Sequence, residues 1–287
     1  MNLCAALSAM REVIASSMNH SFHAISVVIR TKNSAATLGE VITGLGLTGE
    51  DELIVVDSGS QDDTLNIATA AGATIVDLSQ KPFSYGKSLN AGFAVARNAW
   101  ILAISSHCIP AELGLLDLYR QWLPTVPPEV VGIAGGVVGS ANEIKKNPGL
   151  EACTPADFAR GVYFTCNNPN SLYRQTAWAK HPFDEQIETA EDLEWSIWAL
   201  KSGHSLMRNP KAAVLYRSRL GLVAMIKKGH LEARVAKRLV PNPPFTVAYL
   251  IKNIFWNGVS VVRGQISIGL CLRRICYLLG DFGGRRT

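Results

Sequence analysis

Residues 52–71 read ELIVVDSGSQDDTLNIATAA, an apolar run followed by a polar turn and a helical stretch. The β-branched run predicts a buried strand over 52–56, and Asp62 or Asp63 is placed to cap the helix that follows. The same pattern predicts four more strands, over residues 24–29, 73–78, 99–104 and 131–138. Continuous apolar strands separated by helices are typical of a parallel sheet covered on both faces. The sequence therefore predicts an α/β, Rossmann-like fold.

The alternation of strands and helices ends after Ser140, and a different pattern begins after Gly221. Before Ser140, helices are predicted over residues 35–45, 62–71, 87–97 and 110–123, and one more helix is predicted over residues 190–202. After Gly221, the spacing of apolar residues predicts amphipathic or apolar helices over residues 221–240, 247–262 and 266–279. We therefore expect an N-terminal extension over 1–21, an α/β domain over 22–220 and a basic amphipathic helical region over 221–287.

The composition indicates a globular chain. It has 287 residues, of which 48% are hydrophobic and 18% charged, and this balance excludes disordered and fibrous proteins. Its six cysteines form no CxxC pair, so we expect reduced, mostly buried thiols and no zinc site. No apolar stretch predicts a membrane-spanning helix, and residues 1–20 do not resemble a signal peptide. We therefore expect a cytoplasmic protein.

The charge of the chain is distributed unevenly. The formal net charge is +5, but residues 221–287 contain eleven Lys or Arg and two acidic residues. Cations interleaved with apolar residues at helical spacing are typical of helices that lie in a membrane interface. We expect an anionic membrane surface as the partner of this region, and no nucleic acid. The alternative is a helical appendage that packs on the core or on a second subunit.

Polar side chains follow three of the predicted strands, at the edge where ligands bind in open α/β sheets. These residues are Arg30 and Asn33 after the first strand, Asp57, Ser58 and Gly59 after the second, and Ser105, Ser106, His107 and Cys108 after the fourth. The sequence contains neither GxGxxG after the first strand nor a GxxxxGK[ST] phosphate loop. Asp57 is placed to accept hydrogen bonds from a ribose or a base; the alternative is that it only shapes its turn.

Several ordered motifs resemble family 2 glycosyltransferases, over residues 22–220. Residues 55–64 (VVDSGSQDDT) are similar to the family's nucleotide-binding turn, VVDDGSxDxT, and residues 83–92 (FSYGKSLNAG) resemble its FxxGxxxNxG helix start. Residues 168–174, 182–185 (PFDE) and 191–195 (EDLEW) resemble its acceptor-side segment, most closely in the rhamnosyltransferase-like branch. Because the motifs occur in the family's order, the combination is more specific than any one of them.

The resemblance implies a GT-A fold, with a mixed sheet covered by helices on both faces, and inverting sugar transfer from a nucleoside-diphosphate donor. By motif position it implies Asp192 as the general base beside Glu191; the alternative is that both only cap a helix. Further implied residues are Tyr85, Gly86 and Asn90 at the donor and Asn168 and Trp195 at the acceptor. For Tyr85, Asn90 and Trp195 the alternative is a role in packing or in local hydrogen bonds.

The sequence departs from the family pattern where a divalent metal usually binds. The family's Asp-x-Asp is matched by Ser105-Ser106-His107, and its later His-Ser-His by Arg217-Ser218-Arg219. The resemblance still implies Mn²⁺ or Mg²⁺, with His107 as a single ligand and Ser106 beside the donor. Guanidinium groups bind phosphate directly, so Arg217 or Arg219 is a second source of positive charge for the diphosphate. The alternative is that both arginines are surface residues.

These observations predict an enzyme of cell-envelope polysaccharide biosynthesis that transfers a sugar to a hydroxyl of a lipid-linked or polysaccharide acceptor. We expect it to work as a peripheral protein at the inner face of the cell membrane. The alternative is a degenerate relative that binds nucleotide or glycan as a partner subunit, which the missing Asp-x-Asp favours. The pair Glu191-Asp192 argues against that alternative, because a protein that only binds needs no general base.

Overall fold

The computed structural model describes residues 23–144, 151–217, 220–240 and 247–286. The predicted N-terminal extension and Arg219 lie outside the described residues. Within the described ranges, the chain forms a mixed α/β fold in which helices flank a nine-stranded sheet. This architecture confirms the predicted fold class.

The described residues form nine strands, of which the sequence predicts five. The strands are β1 (Ile25–Thr31), β2 (Glu52–Asp57), β3 (Thr74–Asp77), β4 (Trp100–Ser105), β5 (Cys108–Pro110), β6 (Val130–Val138), β7 (Glu151–Cys153), β8 (Asn170–Arg174) and β9 (Ser205–Tyr216). The predictions of β1 to β4 and of β6 are confirmed. The other four strands are short, polar or interrupted by proline, so they carry no continuous apolar run that would predict them.

The direction of the strands brings three loops to one edge of the sheet. The strand order is β3-β2-β1-β4-β8-β6-β9-β5, and β7 pairs with β9. Strands β1 to β4 run parallel, whereas β8 lies antiparallel between β4 and β6. The loops after β1, β2 and β4 therefore leave the sheet at the same edge, where ligands bind in open α/β sheets.

Apolar side chains cover both faces of the sheet. Ile25, Val27 and Ile29 of β1 belong to the cluster on one face, and Val28 belongs to the cluster on the other. All four are fully buried, because successive side chains of a strand point to opposite faces and helices cover both. Burial on both faces explains why β1 reads as a continuous apolar run.

Seven α-helices come before residue 217 in the described ranges. They are α1 (Ala35–Leu45), α2 (Thr64–Ala70), α3 (Tyr85–Val95), α4 (Leu115–Arg120), α5 (Pro155–Ala159), α6 (Gln175–Lys180) and α7 (Glu191–Lys201). The predicted helix over 110–123 is wrong at its start. Pro110 ends strand β5, and α4 begins only after Gly114, whose φ of 83° is left-handed and interrupts a helix.

Three longer helices follow in the region of high positive charge. They are α8 (Leu222–Leu239), α9 (Val247–Val262) and α10 (Ile268–Arg286). Helices α8 and α10 pack closely enough for their backbones to touch: a Cβ atom at Gly229 would overlap the carbonyl oxygen of Tyr277. A Cβ atom at Gly280 would overlap the carbonyl oxygen of Ile226. None of the helices in the described ranges combines the length and hydropathy needed to cross a bilayer.

Candidate active site

A cavity of about 1000 Å³ lies at the sheet edge where β1 and β4 end. The loops after β1, β2 and β4, the start of α7 and parts of α8 and α10 contribute to its wall. Many of the residues predicted for the site line it, namely Arg30, Asn33, Ser58, Tyr85, Ser106, His107, Asn168, Glu191, Asp192 and Arg217. Segments that are far apart along the chain therefore meet around one cavity.

Glu191 is held in place at the start of α7. The residue before it, Ala190, adopts a left-handed φ of 63°, which turns the chain sharply into the helix. The buried Glu191 accepts a hydrogen bond at Oε1 from Asn168 Nδ2 at 2.8 Å, and Arg30 Nη1 lies 3.6 Å from the same oxygen. An amide and a guanidinium group thus fix the position of this carboxylate.

Asp192 presents its carboxyl group to the cavity. Its Oδ2 accepts the backbone N–H of Asn168 at 3.0 Å, and its Oδ1 accepts the N–H of Leu193 at 2.8 Å. Burial raises the pKa of Asp192 to about 7, and the charge of Glu191 acts in the same direction, whereas the two backbone hydrogen bonds oppose the rise. A carboxyl group with this pKa is well matched to accept a proton near neutral pH.

Asn168 positions both carboxyl groups and is itself almost completely buried. Its backbone N–H binds Asp192, its side-chain amide binds Glu191, and its Oδ1 accepts the hydroxyl of Tyr173 at 2.7 Å. The sequence predicts an acceptor-binding role for Asn168. In the structure its polar groups are engaged within the protein, in the support of Asp192 and Glu191.

Arg30 carries positive charge into the cavity wall beside the carboxylates. Its guanidinium carbon lies 5.0 Å from the ring centroid of Tyr85, and its side chain is 14% exposed. Its Nε and Nη1 are buried and make no hydrogen bond within the described part of the chain. Since a buried guanidinium with unused donors favours a nearby anion, Arg30 and Tyr85 together form a wall suited to an anionic ligand.

Asp57 shapes its own turn and does not line the cavity. Its Oδ2 accepts the backbone N–H groups of Gly59 at 2.9 Å and Ser60 at 2.8 Å, and its Oδ1 accepts the Ser60 hydroxyl. Gly59 adopts a φ of 89°, a left-handed conformation that the turn requires. Because only 3% of Asp57 is exposed, the turn presents Ser58 to the cavity in its place.

Gly86 and Asn90 join helix α3 to the segment that precedes α7, outside the cavity. A Cβ atom at Gly86 would lie 2.5 Å from the carbonyl oxygen of Asp184, so only glycine permits this close approach. Asn90 donates to the carbonyl oxygen of Phe183 at 2.9 Å and accepts from Trp178 Nε1 at 3.0 Å. In this structure both predicted donor residues therefore act in packing and local hydrogen bonding.

The predicted contact of Trp195 with an acceptor sugar is not compatible with its position. Trp195 is 0% exposed, and its ring packs edge-on against Tyr173 at 4.9 Å between centroids. Trp195 lies four residues after the buried Glu191 on the same face of α7, and this face packs into the core. A buried ring has no face to offer a sugar.

The end of strand β4 does not fit a divalent metal ion. Ser106 Oγ shares a hydrogen bond of 2.8 Å with Ser34 Oγ, and the ring of His107 packs edge-on against Tyr216 at 4.9 Å. The described ranges contain no group of three or more His, Cys, Asp or Glu side chains arranged to hold a metal. Mg²⁺ and Mn²⁺ favour carboxylate ligands, and residues 105–107 supply none.

Sequence reasoning missed the part of the wall that comes from α8 and α10. The residues concerned are Lys227, Lys228 and Glu232 on α8 and Tyr277, Asp281 and Arg285 on α10. Tyr277 donates its hydroxyl proton to Glu232 Oε2 at 2.6 Å, which joins the two helices at the cavity. The only sequence signal was the excess of positive charge after residue 221, which by itself does not say what the charges face.

Two cations act on the turn that follows β4. Burial raises the pKa of the Cys108 thiol to about 12, and the charges of Lys228 and Arg30 oppose this rise. One of these cations comes from the sheet and the other from helix α8. The end of β4 thus lies in an environment of positive charge, the opposite of an acidic metal site.

Comparison with known proteins agrees with this geometry. Residues 26–140 match the family model described as glycosyl transferase family 2. A mannosyltransferase from Pyrobaculum calidifontis, solved with GDP-Man and Mn²⁺, is similar in structure, with a TM-score of 0.61 and 12% identity over 91% of this chain and 87% of that one. No curated protein matches this chain.

Two further solved structures share the fold. Glucosyl-3-phosphoglycerate synthase from Mycobacterium tuberculosis, in complex with Mn²⁺, UDP and glucosyl-3-phosphoglycerate, has a TM-score of 0.59 and 21% identity over 78% of this chain and 83% of that one. Residues 1–349 of S. aureus TarS have a TM-score of 0.57 and 15% identity over 92% and 90% of the two chains. The family match covers residues 26–140, and the similarity to these solved structures shows that the chain shares the GT-A fold.

Proposed function

We propose that this protein is an inverting glycosyltransferase that moves a sugar from a nucleoside-diphosphate sugar to a hydroxyl group, with Asp192 as the general base. The observation that carries the proposal is the Asp192 carboxyl group, which lines the cavity with a pKa near neutrality. Glu191 supports this role, because its negative charge favours the proton on its neighbour.

In the proposed step, Asp192 takes the proton from the acceptor hydroxyl as its oxygen attacks the anomeric carbon of the donor sugar. The new carbon–oxygen bond forms as the bond from the anomeric carbon to the diphosphate breaks. The nucleoside diphosphate leaves with the bonding electron pair. Because a single displacement occurs from the opposite face, the configuration at the anomeric carbon is inverted.

We assign the donor to the loops after β1, β2 and β4. The candidate contacts in these loops and near them are Arg30, Asn33, Ser58, Tyr85, Ser106 and Arg217, all of which line the cavity. The similar structures solved in complex with GDP-Man or UDP support a nucleotide ligand for this fold. They also carry Mn²⁺, but residues 105–107 do not fit a metal, so no step is assigned to one.

For the acceptor we propose a lipid-linked or polysaccharide hydroxyl at the inner face of the cell membrane. Support comes from helix α9, where the apolar side chains of Ile251, Phe255 and Trp256 are at least half exposed. Lys252 lies among these residues in the sequence and Arg263 directly follows α9, and residues 221–287 have a large excess of basic residues. Aromatic and aliphatic side chains beside cations are typical of helices that bind anionic bilayers.

The catalytic proposal is tested by transfer or hydrolysis assays with UDP-, GDP-, dTDP- and CDP-sugars, dTDP-rhamnose included. Asp192→Asn should lower kcat by about 1000-fold, since general base catalysis contributes 100- to 10,000-fold. Glu194→Gln removes a carboxylate from the same turn of α7 outside the cavity and should retain activity. A wild-type protein that binds nucleotide but turns over no donor would support a binding-only partner subunit instead.

The membrane proposal is tested by flotation with liposomes that contain anionic lipid. The double variant Ile251→Ser/Phe255→Ser should lose most binding, because it removes two exposed apolar side chains from α9. Glycosyl transfer to a soluble acceptor should be retained, because neither residue lines the cavity. Equal flotation of the variant and the wild type would contradict a role for α9.

A further inference from the structure

Residues 105–107, which follow β4 at the cavity, carry no carboxylate, and the cations Arg217 and Lys228 line the same cavity. The backbone N–H of Arg217 donates to the carbonyl oxygen of His107 at 2.9 Å. The backbone of Arg217 therefore lies directly beside the loop that follows β4. Lys228 approaches the same place from helix α8. A departing diphosphate needs a cation to stabilise its developing charge, whichever group supplies it.

Lys228 lies one aromatic ring away from His107. Its Nζ is 3.5 Å from the hydroxyl oxygen of Tyr216 and 5.6 Å from the centroid of that ring. The Tyr216 ring also packs against the ring of His107, with 4.9 Å between the two centroids. The ammonium group therefore stands close to the loop that follows β4, within the cavity wall.

The ammonium group of Lys228 keeps its charge in this position. Burial alone would lower the pKa of Lys228, but the nearby Glu232 carboxylate and Tyr216 raise it above its usual value. An ammonium has three donors, and the neighbours of Lys228 are Glu232 at 3.6 Å and Tyr216 at 3.5 Å. At least one donor therefore remains for a ligand in the cavity.

The position of Lys228 is fixed by the two-helix unit of α8 and α10. Glu232, one turn after Lys228, accepts the hydroxyl proton of Tyr277 from α10 at 2.6 Å. Gly229, the residue after Lys228, packs against the backbone of Tyr277. A charge that is fixed before the reaction stabilises a transition state without the cost of reorganising at that moment.

We propose that Lys228 binds the donor's diphosphate and stabilises the negative charge on the leaving nucleoside diphosphate, the electrostatic role that a divalent ion has elsewhere. This inference rests on the proposed transferase function and names a residue for it from helix α8. It also implies that residues 220–286 complete the active site. The nucleoside diphosphate that leaves carries its new charge on the phosphate nearest the sugar, and Lys228 neutralises that charge.

The test compares Lys228→Gln, Lys228→Arg and Lys237→Gln in the full chain, in buffer with a chelator. Lys237→Gln is the matched control, because it removes the same charge from an exposed position of α8 that does not line the cavity. Calorimetry measures binding of the nucleoside diphosphate and of the matching nucleoside, and a single-turnover assay measures transfer. Melting temperatures verify that each variant is folded.

Lys228→Gln should lower the rate of transfer by about 100-fold, as loss of one transition-state donor does in other enzymes. Its affinity for the nucleoside diphosphate should fall about tenfold, with nucleoside affinity unchanged. Lys228→Arg should retain much of the transfer rate and of the affinity for the nucleoside diphosphate, and Lys237→Gln should match the wild type. These results in the presence of chelator would support the proposal.

Three results would overturn it. If Lys228→Gln binds the diphosphate and transfers sugar as the wild type does, Lys228 has no such role although the transferase function stands. If the chelator abolishes wild-type diphosphate binding and Mn²⁺ restores it, a metal supplies the charge. A wild type that binds no nucleoside diphosphate under any condition would overturn the proposed function together with this inference.

Discussion

The cavity has two parts that differ in origin. The sheet side comes from the strand ends and the start of α7, and it brings together Arg30, Glu191 and Asp192. The helical side comes from α8 and α10 and brings Lys228 and Glu232. The first side carries motifs that are visible in the sequence, whereas the second carries only a general excess of positive charge.

The difference shows what makes an active-site residue recognisable from sequence. Strand ends are fixed by the hydrogen-bonded register of the sheet, so a motif at a strand end has one position in space. Helices α8 and α10 are placed by packing, and their contact depends on glycines some fifty residues apart, such as Gly229 and Gly280. No local pattern connects such residues. The predictions that follow test whether the two sides act as one site.

Among these predictions, the response of the sheet side to pH has the largest expected effect. The raised pKa of Asp192 means that its carboxyl group is protonated below about pH 7 and cannot act as a base. We expect kcat/KM to rise about tenfold per pH unit below pH 7 and then to level off, about 100-fold between pH 5 and pH 8. A pH–rate profile measures this, and a flat profile over that range in a folded protein would contradict Asp192 as the base.

A glycine substitution tests the helical side. Gly280→Ala would overlap the carbonyl oxygen of Ile226 and force α8 away from α10, which moves Lys228. We expect kcat to fall about tenfold or more, because displacements of about 1 Å at a reacting group have large effects. Steady-state kinetics measures the loss. Gly258→Ala, a helical position with no atom within 4 Å of the new Cβ, is the control and should leave kcat unchanged.

The equivalent substitution on the sheet side is Gly86→Ala. Its Cβ would lie 2.5 Å from the carbonyl oxygen of Asp184 and push α3 off the segment before α7. We expect the free energy of unfolding to fall by about 2 kcal/mol, as for other overpacked sites. Urea denaturation measures it, with Gly39→Ala as the control, since its nearest neighbour is 4.0 Å away. If Gly86→Ala and Gly39→Ala have the same free energy of unfolding, the segment before α7 can move away from α3 at little cost.

The smallest effect separates the two roles considered for Asp57. If its carboxylate only holds the turn, Asp57→Asn should lower the free energy of unfolding by about 1 kcal/mol through weakened hydrogen bonds to Ser60. The donor KM should then change less than about threefold, a free-energy difference below 1 kcal/mol. A tenfold rise in KM at unchanged stability would mean instead that Asp57 contacts the nucleotide directly.

The sequence alone determined the α/β core and the sheet side of the cavity. Apolar runs predicted β1 to β4 and β6, because strands buried on both faces must be apolar throughout. The motif around Glu191 and Asp192 predicted the carboxylate pair that the structure places beside Arg30. The sequence did not reveal that Asn168 binds both carboxylates, because these contacts join two segments whose distance is set by the fold.

Tertiary structure decided which motif residues face the cavity. Asp57 and Asn90 belong to recognisable motifs, yet their polar groups are satisfied by the protein itself, and Trp195 lies in the core. A motif records residue types in order, but the direction of each side chain depends on packing between distant elements. The sequence around Lys228 predicts a helix at a membrane surface. For the same reason, only the folded chain shows that Lys228 contacts Tyr216, which in turn packs against His107 after strand β4.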